Sequence, residues 1–250
     1  MATQNTPFPF IGKLGNLIGY RRNKKYFLRS MPEIVRQTRA TRRAAQRFGM
    51  ASKKGALIRS AFYGKLDVRA DTSHINRLTK ALIPSAGNNT KNIIGFRFNK
   101  HTGTDRFFAL APRLSADGIL HIPSQTLPAF KDINMLEVKV IATRISFATH
   151  QVVNTQSDVL IIDSRKSFSG ASFSVDVPGK GTLVVTLQVR GLKDNLPSGN
   201  GRSLAADIVA VQPPQTGQVF HKPAYLQHPI SNETSNTVYP HFLPFVIQRE

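Results

Sequence analysis

The chain has no cysteine among its 250 residues. That excludes a disulfide framework, a Cys-ligated zinc site, an iron–sulfur cluster and a thiol nucleophile together. Acid is scarce as well: 14 Asp and Glu stand against 34 Lys and Arg, giving a formal net charge of +20. The few carboxylates are scattered, and the seven histidines never recur at zinc-site spacing, so no metal site is expected. No window approaches about 18 consecutive apolar residues, which argues against a membrane-spanning helix. The opening MATQNTPFPFIGKLG lacks the basic stretch and apolar core of a secretory signal. A cytoplasmic location without membrane insertion is the default expectation, although release or leaderless export would leave no mark in a sequence. Neither the P-loop pattern nor the dinucleotide-binding fingerprint occurs, so no cofactor is expected.

Convergent acid, base and nucleophile are missing too. The one stretch worth inspecting is His101-Thr102-Gly103-Thr104-Asp105, with Asp117 and His121 nearby in sequence. A Thr-Gly-Thr-Asp segment between two strands reads as an ordinary turn. No catalytic residue is assigned, and the expectation is a protein that is not an enzyme and takes no small-molecule substrate.

What is present is charge with a strong asymmetry. Residues 1–80 hold 18 Lys and Arg against Glu33, Asp67 and Asp71, while the last 38 residues balance Lys222 and Arg249 against Glu233 and Glu250. A basic third of this kind suits a polyanion, and self-repulsion opposes its compaction until something neutralises it. The candidate phosphate contacts are Arg21, Arg22, Lys24, Lys25, Arg29, Arg39, Arg42, Arg43, Arg47, Lys53, Lys54 and Arg59. Arginine dominates the later part of this set, and its planar fork suits bidentate phosphate binding. Tyr20 and Tyr26 interleave with the first cluster as candidates for stacking on bases. No sequence-reading motif is present, so any nucleic-acid contact is expected to be non-specific.

Glycines at 12, 15 and 19 followed by basic residues predict a turn-punctuated hairpin or arm. Ser30-Met31-Pro32-Glu33 carries helix-start signals, and Thr38 or Thr41 offers a second start. From there Ala44, Phe48, Ala51, Gly55, Ile58 and Phe62 fall on one stripe of a helix, predicting one buried face. Asp71 or Ser73 caps a further short helix with Ile75, Leu78 and Leu82 on its apolar side and His74, Arg77 and Lys80 on its polar side.

Beyond residue 90 the apolar period falls to two. Strands are predicted at 93–98, 106–111, 119–122, 136–147, 159–162, 171–177, 183–190 and 205–211, with Pro178-Gly179-Lys180-Gly181 joining the sixth and seventh as a hairpin. The fold class is therefore read as α+β: a short basic helical module over 1–90, an antiparallel β-sandwich of immunoglobulin or jelly-roll type over 91–212, and a Pro-rich apolar tail over 213–250. The tail ends in Tyr239, Phe242, Leu243, Phe245, Val246 and Ile247, a cluster too apolar to stay solvated and read as a self-assembly element.

The stretch Gly12 to Arg59 resembles the opening of an uncharacterised family of Bacteroidota proteins, a domain of unknown function. The similar features are the spaced Gly12, Gly15 and Gly19, the basic turn, Arg29-Ser-Met-Pro32, and a helix with Thr-x-x-x-Arg and Phe-Gly signals. The resemblance implies a small helical part plus a β-sandwich and brings no assigned activity; the tail from Pro213 looks like an extension of the family's usual end. The functional expectation is a self-assembling structural protein, coat-like or filament-like, that contacts nucleic acid through its N-terminal module. The alternative is a filament or phage-derived surface subunit without nucleic acid, whose basic segment pairs with acidic neighbours.

Overall fold

The computed structural model describes residues 2–34, 36–68, 71, 73–85, 90–130 and 133–214. The six assembly candidates from Tyr239 to Ile247 lie outside the described residues.

Among the described residues twelve strands and two α-helices follow one another. A four-stranded antiparallel sheet comes first, from β1 (Ala2–Thr3), β2 (Gly12–Leu14), β3 (Leu17–Arg22) and β4 (Lys25–Ser30), in the order β1-β4-β3-β2. Then come α1 (Arg39–Phe62) and α2 (His74–Leu82). The remainder is β5 (Arg113–Leu114), β6 (Ile119–Ile122), β7 (Met135–Ser146), β8 (Gln151–Asp163), β9 (Ala171–Ser174), β10 (Thr182–Lys193), β11 (Leu196–Pro197) and β12 (Leu204–Gln212). β5, β6 and β9 make a three-stranded sheet; β8, β7 and β10 run side by side, with β12 and β11 on the far side of β10.

At β7, β10 and β12 the large sheet is buried on both faces. On one face Leu136, Val138 and Val140 of β7 and Leu183, Val185 and Leu187 of β10 share a core with Leu120, Ile122 and Phe173 of the small sheet. On the other, Ile141, Ile145, Val184, Ala206 and Ile208 share a second core with Ala51, Ile58 and Phe62 of α1 and Leu78 and Leu82 of α2. The alternation read along 183–190 is present, yet its polar side is not solvated: Thr186 and Gln188 are fully buried beneath the helical layer. Gln188 is satisfied there by Asp67, donating to Oδ2 at 2.6 Å and accepting from the Asp67 N–H at 2.8 Å.

Several expectations need correction. Ser30 does not start a helix, because it ends β4 opposite Leu17; the helix starts at Arg39, capped by Thr38, whose hydroxyl accepts from the Thr41 N–H at 3.2 Å. Segment 106–111 is not a strand, since the adjacent Phe107 and Phe108 are both buried, which a half-buried pleat does not allow. Segment 93–98 opens with a 3-10 turn over Lys91–Ile93, and only its end runs beside β12, through Gly95 N–H to Ile208 O, Ile208 N–H to Phe96 O and Phe98 N–H to Ala206 O. The expected hairpin over 178–181 is a crossing between sheets: both edges of β10 are taken by β7 and β12, so β9 pairs with β6 instead. Arg144 holds that crossing, its Nε donating to Val177 O at 2.9 Å. In α2 the buried side is rotated from the expected one, with His74 packed edge-on against Tyr63 and Ile75 exposed.

Candidate nucleic-acid interface

The β3–β4 hairpin closes through Asn23 and Lys24, both at positive φ (49° and 63°), between the paired Arg22 and Lys25. This is the two-residue turn whose twist suits paired strands, and asparagine is one of the few side chains that tolerate it. Cross-strand partners share a face of a sheet. Ile18 with Arg29, Tyr20 with Phe27, Arg22 with Lys25, and Lys13 of β2 with Ile18 therefore place Lys13, Arg22, Lys25 and Arg29 around the Tyr20–Phe27 pair. Those two rings stack with centroids 5.7 Å apart.

The opposite face holds Leu17, Gly19, Arg21, Tyr26 and Leu28. Arg21 sits over the Tyr26 ring at 5.4 Å, so this candidate stacking residue already has a cation on it. Gly19 is required here, because a Cβ would lie 2.4 Å from the Phe10 carbonyl and 2.8 Å from its ring. The N-terminal strand is tied down by the buried Gln4. Its Nε2 donates to Phe10 O (3.1 Å) and Phe27 O (2.9 Å), and its Oε1 accepts from the Phe10 N–H (3.0 Å).

The second basic element is the first half of α1. Residues 39–48 are exposed on every side, including Arg39, Arg42, Arg43 and Arg47. No acidic residue occupies the first turn of the helix. Arginines there oppose the positive end of the helix dipole, an arrangement that an anion relieves. Among the described residues, Arg21, Arg22, Lys24, Lys25, Arg29, Arg39, Arg42, Arg43, Arg47 and Lys53 form no salt bridge; the ion pairs begin at Asp67.

Two candidates on α1 sit differently. Lys54 is half-buried with its ammonium over the Phe147 ring at 5.5 Å, and burial holds its pKa below the ordinary lysine value. Arg59 is half-buried and its Nη1 has no hydrogen-bond partner among the described residues. Lys13 was missed by the reading of the sequence. The signal that finds it is the pairing register, which no run of charges reveals.

The stretch inspected for chemistry does not assemble. Asp105 pairs with Arg97 at 3.0 Å, and the His121 ring contacts Ser172 Oγ at 2.8 Å. The buried carboxylate near this stretch is Asp207, whose Oδ2 accepts from Thr104 N–H (2.7 Å) and Oγ1 (2.9 Å). Burial raises its pKa, with the Thr104 hydrogen bonds working against that rise. Among the described residues no group of three or more His, Asp or Glu comes together to hold a metal, and no helix is long and apolar enough to cross a membrane. The chain matches no known protein family, no curated protein and no solved structure.

Proposed function

We propose that this chain is a non-enzymatic, self-assembling structural protein that holds nucleic acid by its phosphates, through the β3–β4 hairpin and the first half of α1. The body, with its two facing antiparallel sheets, is read as a β-sandwich of immunoglobulin or jelly-roll type that carries these elements. One observation supports the nucleic-acid reading above the rest: Arg39, Arg42, Arg43 and Arg47 project from an exposed helix end with no carboxylate of the described residues paired with them. A duplex or single strand lying there neutralises both the arginines and the dipole. The hairpin face adds four cations around an aromatic pair, a combination that favours single strands by stacking. The resemblance of Gly12–Arg59 to a Bacteroidota family adds no activity to this reading.

Fluorescence anisotropy of labelled single-stranded and duplex DNA and RNA, titrated from low to high salt, tests it. If about 6 duplex phosphates are neutralised, the log–log slope is near −5. Replacing Arg39, Arg42, Arg43 and Arg47 by Gln should flatten the slope. Affinity that is absent at low salt, or indifferent to salt, overturns the reading, and assembly without such affinity favours a surface subunit whose basic segment meets acidic neighbours.

A further inference from the structure

The two edges of the large sheet are treated differently by the chain. The β12 edge is covered by residues 95–98, whose backbone groups bond to Ala206 and Ile208. The β8 edge is left open over 13 residues, Gln151–Asp163, with β7 as its sole strand partner among the described residues. Apart from a bulge at Val153, where its register to β7 shifts, β8 has few of the usual protections of a free edge. It contains no proline and no lysine, and Val152, Val153, Val159 and Ile161 are exposed. Its backbone is locally satisfied at two places, where the N–H groups of Thr155 and Val159 donate to the Asn154 and Asp158 side chains at 2.8 Å. Among the described residues no side chain does this for Ser157, which lies between them in the same phase of the pleat.

We infer that β8 is the contact by which a second copy of this chain docks, antiparallel to β8 of the first about a two-fold axis at Ser157. The sequence of the strand is self-complementary in that register. Ser157 faces Ser157, Thr155 faces Val159, Gln156 faces Asp158 and Asn154 faces Leu160, the matched stretch ending at Val153, the residue left without a β7 partner where the register shifts. The carboxylate of Asp158 thus meets an amide that donates to it, and no two carboxylates stand directly opposite. An antiparallel edge pairing has its two-fold perpendicular to the sheet, so both copies present the same face on the same side. α1 packs on β7 and β8, on the face opposite the small sheet. Each α1 then sits over strands within about 10 Å of the axis at ordinary strand spacing. The pairing stands on the edge itself. Its consequence, one basic face built from two α1 helices, rests on the nucleic-acid reading above.

The absence of cysteine makes the test clean. Full-length Ser157→Cys, freed of nucleic acid by nuclease and oxidised with diamide, should give a covalent dimer on a non-reducing gel. Directly opposite residues have Cα atoms about 4.5–5.5 Å apart, within disulfide reach. Asp117→Cys, exposed on the loop before β6, is the control and should stay monomeric. Ile161→Lys, at an exposed position, should weaken association at least 10-fold in sedimentation velocity with an unchanged circular dichroism spectrum. Cross-linking no better than the control, or association indifferent to Ile161→Lys, overturns the pairing; so does association lost only on removing residues 215–250, which assigns assembly to the tail. A dimer whose nucleic-acid salt slope equals that of the Ile161→Lys monomer overturns the shared basic face and leaves the edge pairing standing.

Discussion

Phe48 and Phe62 lie on one stripe of α1, about four turns apart, yet Phe62 is fully buried while Phe48 is 56% exposed. The helix runs past the layer that covers it: α2 is 9 residues long against 24 for α1. The stripe is continuous in sequence and covered only over its second half, from Ala51 to Phe62. Phe62→Ala should therefore destabilise the fold by about 3–5 kcal/mol. Phe48→Asp should cost about 0.5 kcal/mol or less, as surface changes do. Chemical denaturation of the two variants checks the contrast, and similar losses would show that the first half of α1 is covered in solution.

At the hairpin tip, Lys24 holds a positive φ that glycine adopts without penalty. Lys24→Gly should stabilise the N-terminal sheet by about 1 kcal/mol, from the cost a side chain incurs in that region. Slower hydrogen exchange at the ladder amides of β3 and β4 is the expected readout. The change also removes one cation, so the salt slope of binding should fall by less than one unit if Lys24 meets a phosphate.

Gly19→Val should act in the opposite direction. The added side chain meets the Phe10 carbonyl and ring, so the segment that Gln4 pins to β4 has to move. Amides of residues 2–10 should lose exchange protection while those of β7 and β10 keep theirs. Loss of protection throughout would mean that the N-terminal sheet and the body unfold together.

Two carboxylates set opposite pH dependences in the acid range. Asp71 is pushed up by burial, but hydrogen bonds from Ser73 and Arg77 outweigh this and hold it well below the usual carboxylate range. Its contribution is present above the unfolded pKa of about 3.9 and is lost as pH falls through the folded value. Asp207 is raised by burial, so the native state binds the proton more tightly than the unfolded one. Stability therefore falls as pH rises from about 3.9 to the folded pKa of Asp207. Asp71→Asn should shallow the loss of stability on acidification, and Asp207→Asn should remove the decline above that point. Urea midpoints measured from pH 2 to 7 separate the two; parallel curves for all three proteins would contradict both assignments.

Charge and turn chemistry were legible one residue at a time. The basic first third, the Thr38 helix start, the glycine-spaced hairpin and the long strands over 136–147, 183–190 and 205–211 rest on local spacing, and the structure contains each of them. β8 was half-read, as 159–162, because an edge strand exposed on both faces shows no alternation over 151–158. What lies opposite a residue was not legible. That Phe48 is uncovered, that Gln188 is buried against Asp67, that Lys13 joins the hairpin's basic face and that β9 pairs with β6 all depend on which surfaces meet. Local propensity and periodicity are carried by neighbours in the chain; burial and pairing are decided by neighbours in space, because each strand has two edges and each stripe needs a partner long enough to cover it.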